Sequence, residues 1–304
     1  FLSGAESGGR VACLYTRTGL VRKGMLAHYL AKRRHEGVLP PGFTVDIESE
    51  ADLAAAQAEL HSWSEKQVFT AGHPRYVAKA SQANRGENLF LASKPEEAIA
   101  ALREPSLTAG VVEWVIQKYI APPMLLAGRK FHVRAHALVS GCPRCGTSRA
   151  WLHESQHVLL LATDDYNALA ENRLAHLTNH CLQENHPAYN EATQVLHFRE
   201  LEEAAGRIGL AMHVLEEMEQ SLGKAIGAAA SAPLTFAPLP QCFEVYGADF
   251  VIEDNGSGQP RVWLLEVNAG PDMAVFGQRL KKDCEALLES VLRTAVLPNL
   301  DQID

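Results

Sequence analysis

The chain has 304 residues, of which 47% are hydrophobic, 21% charged and 7% aromatic, and its 28 basic and 36 acidic side chains leave a formal charge of −8. That is enough apolar material for one large domain or two modest ones, and it excludes a disordered chain. The acidic balance argues against a protein that coats nucleic acid or anionic membrane, so neither is expected as a direct partner, although a small basic cleft remains compatible with it. No apolar run approaches the roughly 18 residues of a membrane span. The first residue is Phe1 with no signal-peptide pattern behind it, which reads as a piece of a longer polypeptide. Six scattered cysteines in a chain of this size predict reduced thiols and a cytoplasmic setting.

In chain order, 18–33 reads as a helix with a basic side, 36–50 as a connector rich in Pro and Gly, and 51–63 as a second helix. A short apolar strand over 75–80, a polar loop over 81–88 and a strand over 89–92 follow. Residues 95–103 form a helix opened by Pro95 and early acids, as the helix dipole favours. Strands are predicted over 111–120, 131–140 and 151–161, an irregular polar stretch over 164–195, and one or two helices over 198–229. Two strands, 243–253 and 261–267, are joined by a Gly-rich turn, and a helix over 278–295 closes the chain. This order is mixed α+β with antiparallel hairpins, not a regular β-α-β alternation.

The last hairpin carries the sharpest chemical signal. Asp249 and Glu266 each sit inside an apolar strand. Folding the chain midway between Ser257 and Gly258 sets Asp249 opposite Glu266, with Asn268 two residues on and on the same face. Like charges placed opposite each other repel, so a cation must lie between them or one must be protonated. Hard oxygen ligands with an incomplete shell suit Mg²⁺ shared with phosphates. A slipped register, or an acid paired with a buried arginine, are the competing explanations.

Lys79 ends a strand before a loop of small residues, an arrangement that holds phosphate oxygens in some proteins and is an ordinary hairpin in others; it is not a Walker A motif. Lys130, His132 and Arg134 alternate with apolar residues and so share one face, which faces either an anion or solvent. Gln117, Lys118 and Tyr119 lie just upstream and offer polar groups to a purine edge. Cys142 and Cys145 form a lone CxxC followed by His153 and His157, but the spacing is shorter than in common zinc modules, and a turn with free thiols is favoured.

These pieces occur in the order of a known family. Leu20-Val-Arg-Lys-Gly, Val77-Ala-Lys-Ala-Ser with Asn84-Arg-Gly-Glu, Val115-Ile-Gln-Lys-Tyr-Ile, Arg129-Lys-Phe-His-Val-Arg, His176-Leu-Thr-Asn-His-Cys-Leu-Gln and Leu264-Leu-Glu-Val-Asn-Ala resemble successive blocks of the tubulin–tyrosine ligase family, a branch of the ATP-grasp fold. The resemblance runs from about Gly19 to about Phe276. It implies an N-terminal helical and linker segment over 1–66, a central lobe over 67–120 and a C-terminal lobe over 121–304, with nucleotide between the lobes. It also implies an ATP- and Mg²⁺-dependent ligase that activates a carboxylate as an acyl phosphate, which an amine then attacks. Carried over by position, Lys79, Lys130 and the lid residue Arg85 contact the phosphates, and Gln117, Lys118, Tyr119 and Ile120 meet the adenine. His132 lies near the nucleoside, Lys23 reaches the phosphate end, and Arg134 neutralises charge on the transferred phosphoryl group. Thr178 and Asn179 line the acceptor side beside the nucleotide, while Asp249, Glu266 and Asn268 hold Mg²⁺.

Three departures from the family pattern stand out. Asn88 replaces a second lid glycine, which implies a stiffer lid. His132 stands where many animal members have Asp and, with Pro238-Leu-Pro, is similar to the fungal branch, some of which accompany the mRNA-decapping machinery in P-bodies. The stretch 151–162 has no counterpart of the arginine that engages the incoming amino acid, leaving Arg149 and Arg173 as substitutes. Two functions follow from the resemblance. One is a ligase acting on a protein acceptor, tubulin tails being the family default, with a cytoskeletal setting. The other is a nucleotide-binding module that partners mRNA-decapping proteins after loss of ligation.

Overall fold

A computed structural model describes residues 12–14, 16–83, 86–141, 148–168, 172–240, 242–256 and 258–297. Arg85 and the Cys142/Cys145 pair lie outside the described residues. The chain opens with α1 (Thr18–Val21) and α2 (Lys23–Lys32), two helices where the pattern predicts one. Arg22 between them is extended, and the first amides of α2 are met from elsewhere in the chain. Lys23 N donates to Ser81 O and Gly24 N to Ser81 Oγ. The N-terminal turn of α2 is therefore completed by the loop that follows Lys79.

A four-stranded antiparallel sheet has the order β1-β4-β2-β3, with β1 (Gly42–Asp46), β2 (Tyr76–Ala80), β3 (Leu89–Ala92) and β4 (Glu113–Lys118). Strand β1 falls in the stretch read as a connector. Pro40, Pro41 and Gly42 look like a turn, but a Cβ on Gly42 would come within 2.3 Å of Ile116 O, so the glycine serves close strand pairing. Helices α3 (Glu50–Ser64) and α4 (Pro95–Leu107) cover this sheet over a core that includes Ile47, Leu60, Tyr76 and Trp114. Both β1 and α3 thus belong to the small sheet's layers, although they fall within the stretch expected to be an N-terminal segment.

A larger antiparallel sheet has the order β11-β10-β6-β8-β9, with β5 (Leu125–Leu126) and β7 (Ser148–Leu152) also pairing with β6 (Arg129–Gly141). Its other strands are β8 (Val158–Leu161), β9 (Val195–His197), β10 (Phe243–Glu253) and β11 (Arg261–Ala269). The strand expected over 151–161 is therefore two strands on the same edge of β6. Short helices α5 (Arg173–His176), α6 (His180–Gln183) and α7 (Glu191–Gln194) occupy the polar stretch before β9, and α8 (Leu201–Ala205) leads into α9 (Leu210–Ala230). Odd-numbered residues of β6, from Phe131 to Val139, join the core under α1, α2 and α9. The opposite face packs on α10 (Lys281–Ala295) through Leu138, Phe243, Phe276 and Leu287. Even-numbered Lys130, His132 and Arg134 emerge on that opposite face, as the alternation requires. Among the described residues no helix is long and apolar enough to cross a membrane.

Candidate active site

The two sheets face each other across a cleft of about 800 Å³. Its lining includes Lys79, Gln117, Lys118, Tyr119, Ile120, Lys130, His132, Thr178, Asn179, Asp249 and Glu266, which places eleven of the expected site residues around one space. Val77, Leu89, Leu91, Val251 and Leu265 supply apolar walls that the sequence reading did not single out. The signal for them was the strand alternation flanking the acids and the lid.

Asp249 pairs with Glu266 across the β10–β11 ladder, as expected, but the register is not uniform. Next to the turn Phe250 pairs with Leu264, so Leu265 is an extra residue in β11. A bulge of this kind lets consecutive side chains share a face. Leu265 and Glu266 accordingly both border the cleft. Asn268 Nδ2 lies 3.2 Å from Glu266 Oε1 and 3.4 Å from Asp249 Oδ2, which joins the three predicted ligands into one group.

Each acid already has a cation. Arg134 makes a two-point contact with Asp249, with Nη2 3.0 Å from Oδ2. Lys23 Nζ is 3.1 Å from Glu266 Oε2 and donates to Ala83 O at 2.6 Å, and Lys79 Nζ donates to the bulge carbonyl, Leu265 O, at 3.0 Å. The buried-arginine explanation is thus correct for Asp249 and coexists with convergence of the acids. Burial would raise the Glu266 carboxyl, but Lys23 and Lys79 outweigh it and hold it at about 2. Burial also pushes Lys79 down to about 8, against a partial pull upward from Glu266, and Lys130 down to about 7.

His132 Nδ1 lies 2.7 Å from Thr178 Oγ1, and its Nε2 lies 3.7 Å from Asp249 Oδ1, buried and without a hydrogen-bond partner. Burial, opposed by Asp249, lowers this imidazole to about 4, so the ring is neutral at physiological pH. At the other end, Lys118 N donates to Pro41 O, Tyr119 N to Arg75 O, and Gln117 Nε2 faces Pro40 O at 3.5 Å. Those three donors are committed to the protein itself, which alters how this segment meets a purine edge. Tyr119 turns its hydroxyl to Lys130 and His176.

A second cavity, about 1,850 Å³ and open to solvent, adjoins the cleft and shares Asn179 and Glu266 with it. Arg17, Arg22, Arg134, His180, Asn268 and Leu160 are among its lining residues. Of the stretch 151–162, Leu160 is the residue that borders this cavity. Neither expected substitute lines this cavity. Arg149 is exposed on β7, and Arg173 donates to Leu89 O on the edge strand β3. His153 and His157 lie beyond β7, and His157 Nδ1 accepts from His136 N within the large sheet.

The residues present fit a divalent cation and a nucleotide. Two buried-side carboxylates and an amide converge, and His132 Nε2 is an orphaned polar atom directed toward them. Among the described residues no three or more His, Cys, Asp and Glu cluster into a metal cage. A cation held here would take only part of its shell from protein, which suits Mg²⁺ shared with phosphates.

A profile described as the tubulin-tyrosine ligase family matches residues 21–304. A probable tubulin–tyrosine ligase of Schizosaccharomyces pombe is 29% identical over 252 residues, 73% of this chain and 58% of that protein. The probable tubulin–tyrosine ligase PBY1 of Saccharomyces cerevisiae is 30% identical over 197 residues, 61% of this chain and 24% of that protein. A tubulin monoglycylase of Danio rerio is 26% identical over 231 residues, 73% of this chain and 28% of that one. The chain thus spans little more than half, or less, of the length of these relatives. Among solved structures, the C-terminal domain of K. lactis Pby1, described as an ATP-grasp enzyme interacting with the mRNA decapping enzyme Dcp2, superposes with a TM-score of 0.61 at 22% identity. The match covers 96% of this chain and 77% of that one. The fold is ATP-grasp.

Proposed function

This chain belongs to the tubulin–tyrosine ligase family, and on that premise we propose that it is an ATP- and Mg²⁺-dependent carboxylate–amine ligase that joins an amino acid to a protein acceptor. The observation that carries this reading is the convergence of Lys79, Lys130, Asp249, Glu266 and His132 on one cleft with apolar walls. Bound Mg-ATP would supply the phosphoryl group that activates a carboxylate for attack by an amine. Asp249, Glu266 and Asn268 would hold the metal, while Lys79 and Lys130 would meet phosphate oxygens as compact point charges. Leu89, Leu91, Val251 and Leu265 would exclude water from the base. Arg134 lines the second cavity and Lys23 pairs with Glu266, which both cavities share, so both would offset charge on the transferred group. Besides Arg134, the described arginines lining that cavity are Arg17, paired with Glu244, and Arg22, 3.7 Å from Glu113, and Arg22 is the better placed to meet an amino-acid carboxylate.

Tubulin is the acceptor suggested by the names of the relatives, and its C-terminal tail, in a cytoplasmic setting, is the segment we propose. A second reading, a nucleotide-binding partner of decapping proteins without ligation, is favoured by the lack of any arginine over 151–162 and by the description of the Pby1 neighbour. One experiment separates them. The full-length protein is incubated with Mg-ATP, labelled amino acids and detyrosinated tubulin, alongside Glu266→Gln. Incorporation that Glu266→Gln abolishes is the expected result. Saturable Mg-ATP binding without transfer of any amino acid would sink the tubulin-ligase reading, and absence of any Mg-ATP thermal shift would sink both.

A further inference from the structure

Lys130 is held by an aromatic side chain rather than by a carboxylate. Its Nζ lies 3.0 Å from Tyr119 Oη and 4.3 Å from the centre of the Tyr119 ring. The hydroxyl is fixed in turn, 2.9 Å from His176 Nδ1 and 3.4 Å from Tyr166 Oη, and Tyr166 Oη is 2.7 Å from His73 Nδ1. Tyr119 and His176 are each 2% exposed. The anchor therefore gathers groups from the end of β4, from α5, from the loop after β8 and from the segment before β2 around one ammonium on β6.

We propose that Tyr119 is a positioning residue for Lys130, its ring and hydroxyl together fixing Nζ where the phosphates of a bound nucleotide would meet it and favouring the ammonium over the neutral amine. This rests on the nucleotide reading above and extends it to a side chain whose expected role was at the adenine. A lysine ammonium has three donors and no acceptor, so once stripped of water it needs lone pairs or an aromatic face. Tyr119 supplies both. The titratable groups around Lys130 are Tyr119, Tyr166, His176, His73 and, along its own strand, His132. Burial holds the Tyr119 hydroxyl well above its usual range, so it acts as an oriented neutral dipole and not as a counter-charge. It accepts from the ammonium while His176 Nδ1 or Tyr166 takes up its remaining hydrogen bond.

The test is calorimetry of Mg-ATP binding to the whole chain between pH 6 and 9. Tyr119→Phe keeps the ring and removes the oxygen, which makes the ammonium easier to deprotonate. Affinity should stay within about twofold of the parent at pH 6 and fall about tenfold below it at pH 8, an acidward displacement of about one unit. A role confined to packing would lower the melting temperature and leave that profile in place. In a Lys130→Met background the same substitution should leave the profile unmoved. His176→Gln, which loosens the hydroxyl without touching the ammonium, should displace the profile in the same direction by less, and serves if Tyr119→Phe does not fold. A Tyr119→Phe profile that superposes on the parent's overturns the proposal, as does an equal displacement in the Lys130→Met background. A parent that binds no Mg-ATP at any pH overturns the nucleotide reading, and this assignment with it.

Discussion

Asn88 has φ 46°, in the left-handed region that glycine occupies without strain and asparagine tolerates better than most residues. The departure from the family's second lid glycine is therefore conservative in backbone terms. Asn88→Gly should leave the fold and Mg-ATP binding intact, whereas Asn88→Val should destabilise by about 1–2 kcal/mol through backbone strain, read as a lower urea midpoint at unchanged slope. Equal stability of the two variants would show that φ does not matter there. The acids were legible at this scale because a charge inside an apolar strand is rare, whereas Lys79 and Lys130 each had an ordinary hairpin or solvent-facing explanation beside the phosphate one. What the acids contact was not legible. The contacts of Lys23 with Ala83 O and Glu266 join residues far apart in sequence, and no periodicity reports them. Tyr119 is the clearest example. Its place in Gln117-Lys118-Tyr119 suggested the purine edge, yet its amide is spent on Arg75 and its hydroxyl on Lys130.

The last hairpin shows what an element adds to its residues. A symmetric fold about the turn predicts the Asp249–Glu266 pair, and the pair is present, but the ladder reaches it only after inserting Leu265. The bulge also delivers a carbonyl to Lys79 and an apolar side chain to the cleft. Neither benefit is written in the alternation of the strand. On the partner strand a Cβ at Gly247 would approach Arg134 Cδ to 2.9 Å and Pro271 Cβ to 2.8 Å. Gly247→Ala should therefore overpack this corner, with a loss of about 1–3 kcal/mol, and shift Arg134 off Asp249. Amino-acid transfer should fall further than stability alone accounts for, and unchanged turnover in a folded Gly247→Ala protein would count against a role for Arg134. The break between α1 and α2 is a similar case. Helix periodicity over 18–33 predicts continuity, but capping by Ser81 redirects the chain and leaves Arg22 at the wall of the second cavity. Arg22→Ala should preserve the Mg-ATP thermal shift and cut incorporation of labelled amino acid tenfold or more. A matching loss in both would move Arg22 to the nucleotide side.

Across the whole molecule, composition and element order fixed the α+β class, but the assignment of β1 and α3 to the small sheet needed pairing between strands more than 60 residues apart, Gly42 with Gln117 among them. Lys79 is buried and Lys130 half-buried where the two sheets meet, and this burial gives the protein a pH response with two opposed parts. Burial is the leading cause that brings Lys130 to about 7 and Lys79 to about 8, both below the 10.5 of an unfolded lysine. Below about pH 7 both states hold the protons, and the folded protein bears the full cost of burying charge. From there toward 10.5 the unfolded chain retains protons that the folded one has released, so these two groups favour folding increasingly as pH rises. Nucleotide phosphates favour the charged lysines, so binding must return the protons over the same interval. Mg-ATP affinity should decline from pH 7 to 9, and the thermal shift it produces should shrink even where the free protein loses no stability through these residues. Calorimetry at pH 8 in two buffers of different ionisation enthalpy should register uptake of about one to two protons per nucleotide bound. Affinity that is flat with pH together with no proton uptake would mean that neither lysine meets the phosphates, because a buried amine that is neutral before binding and charged after it has to take its proton from solution.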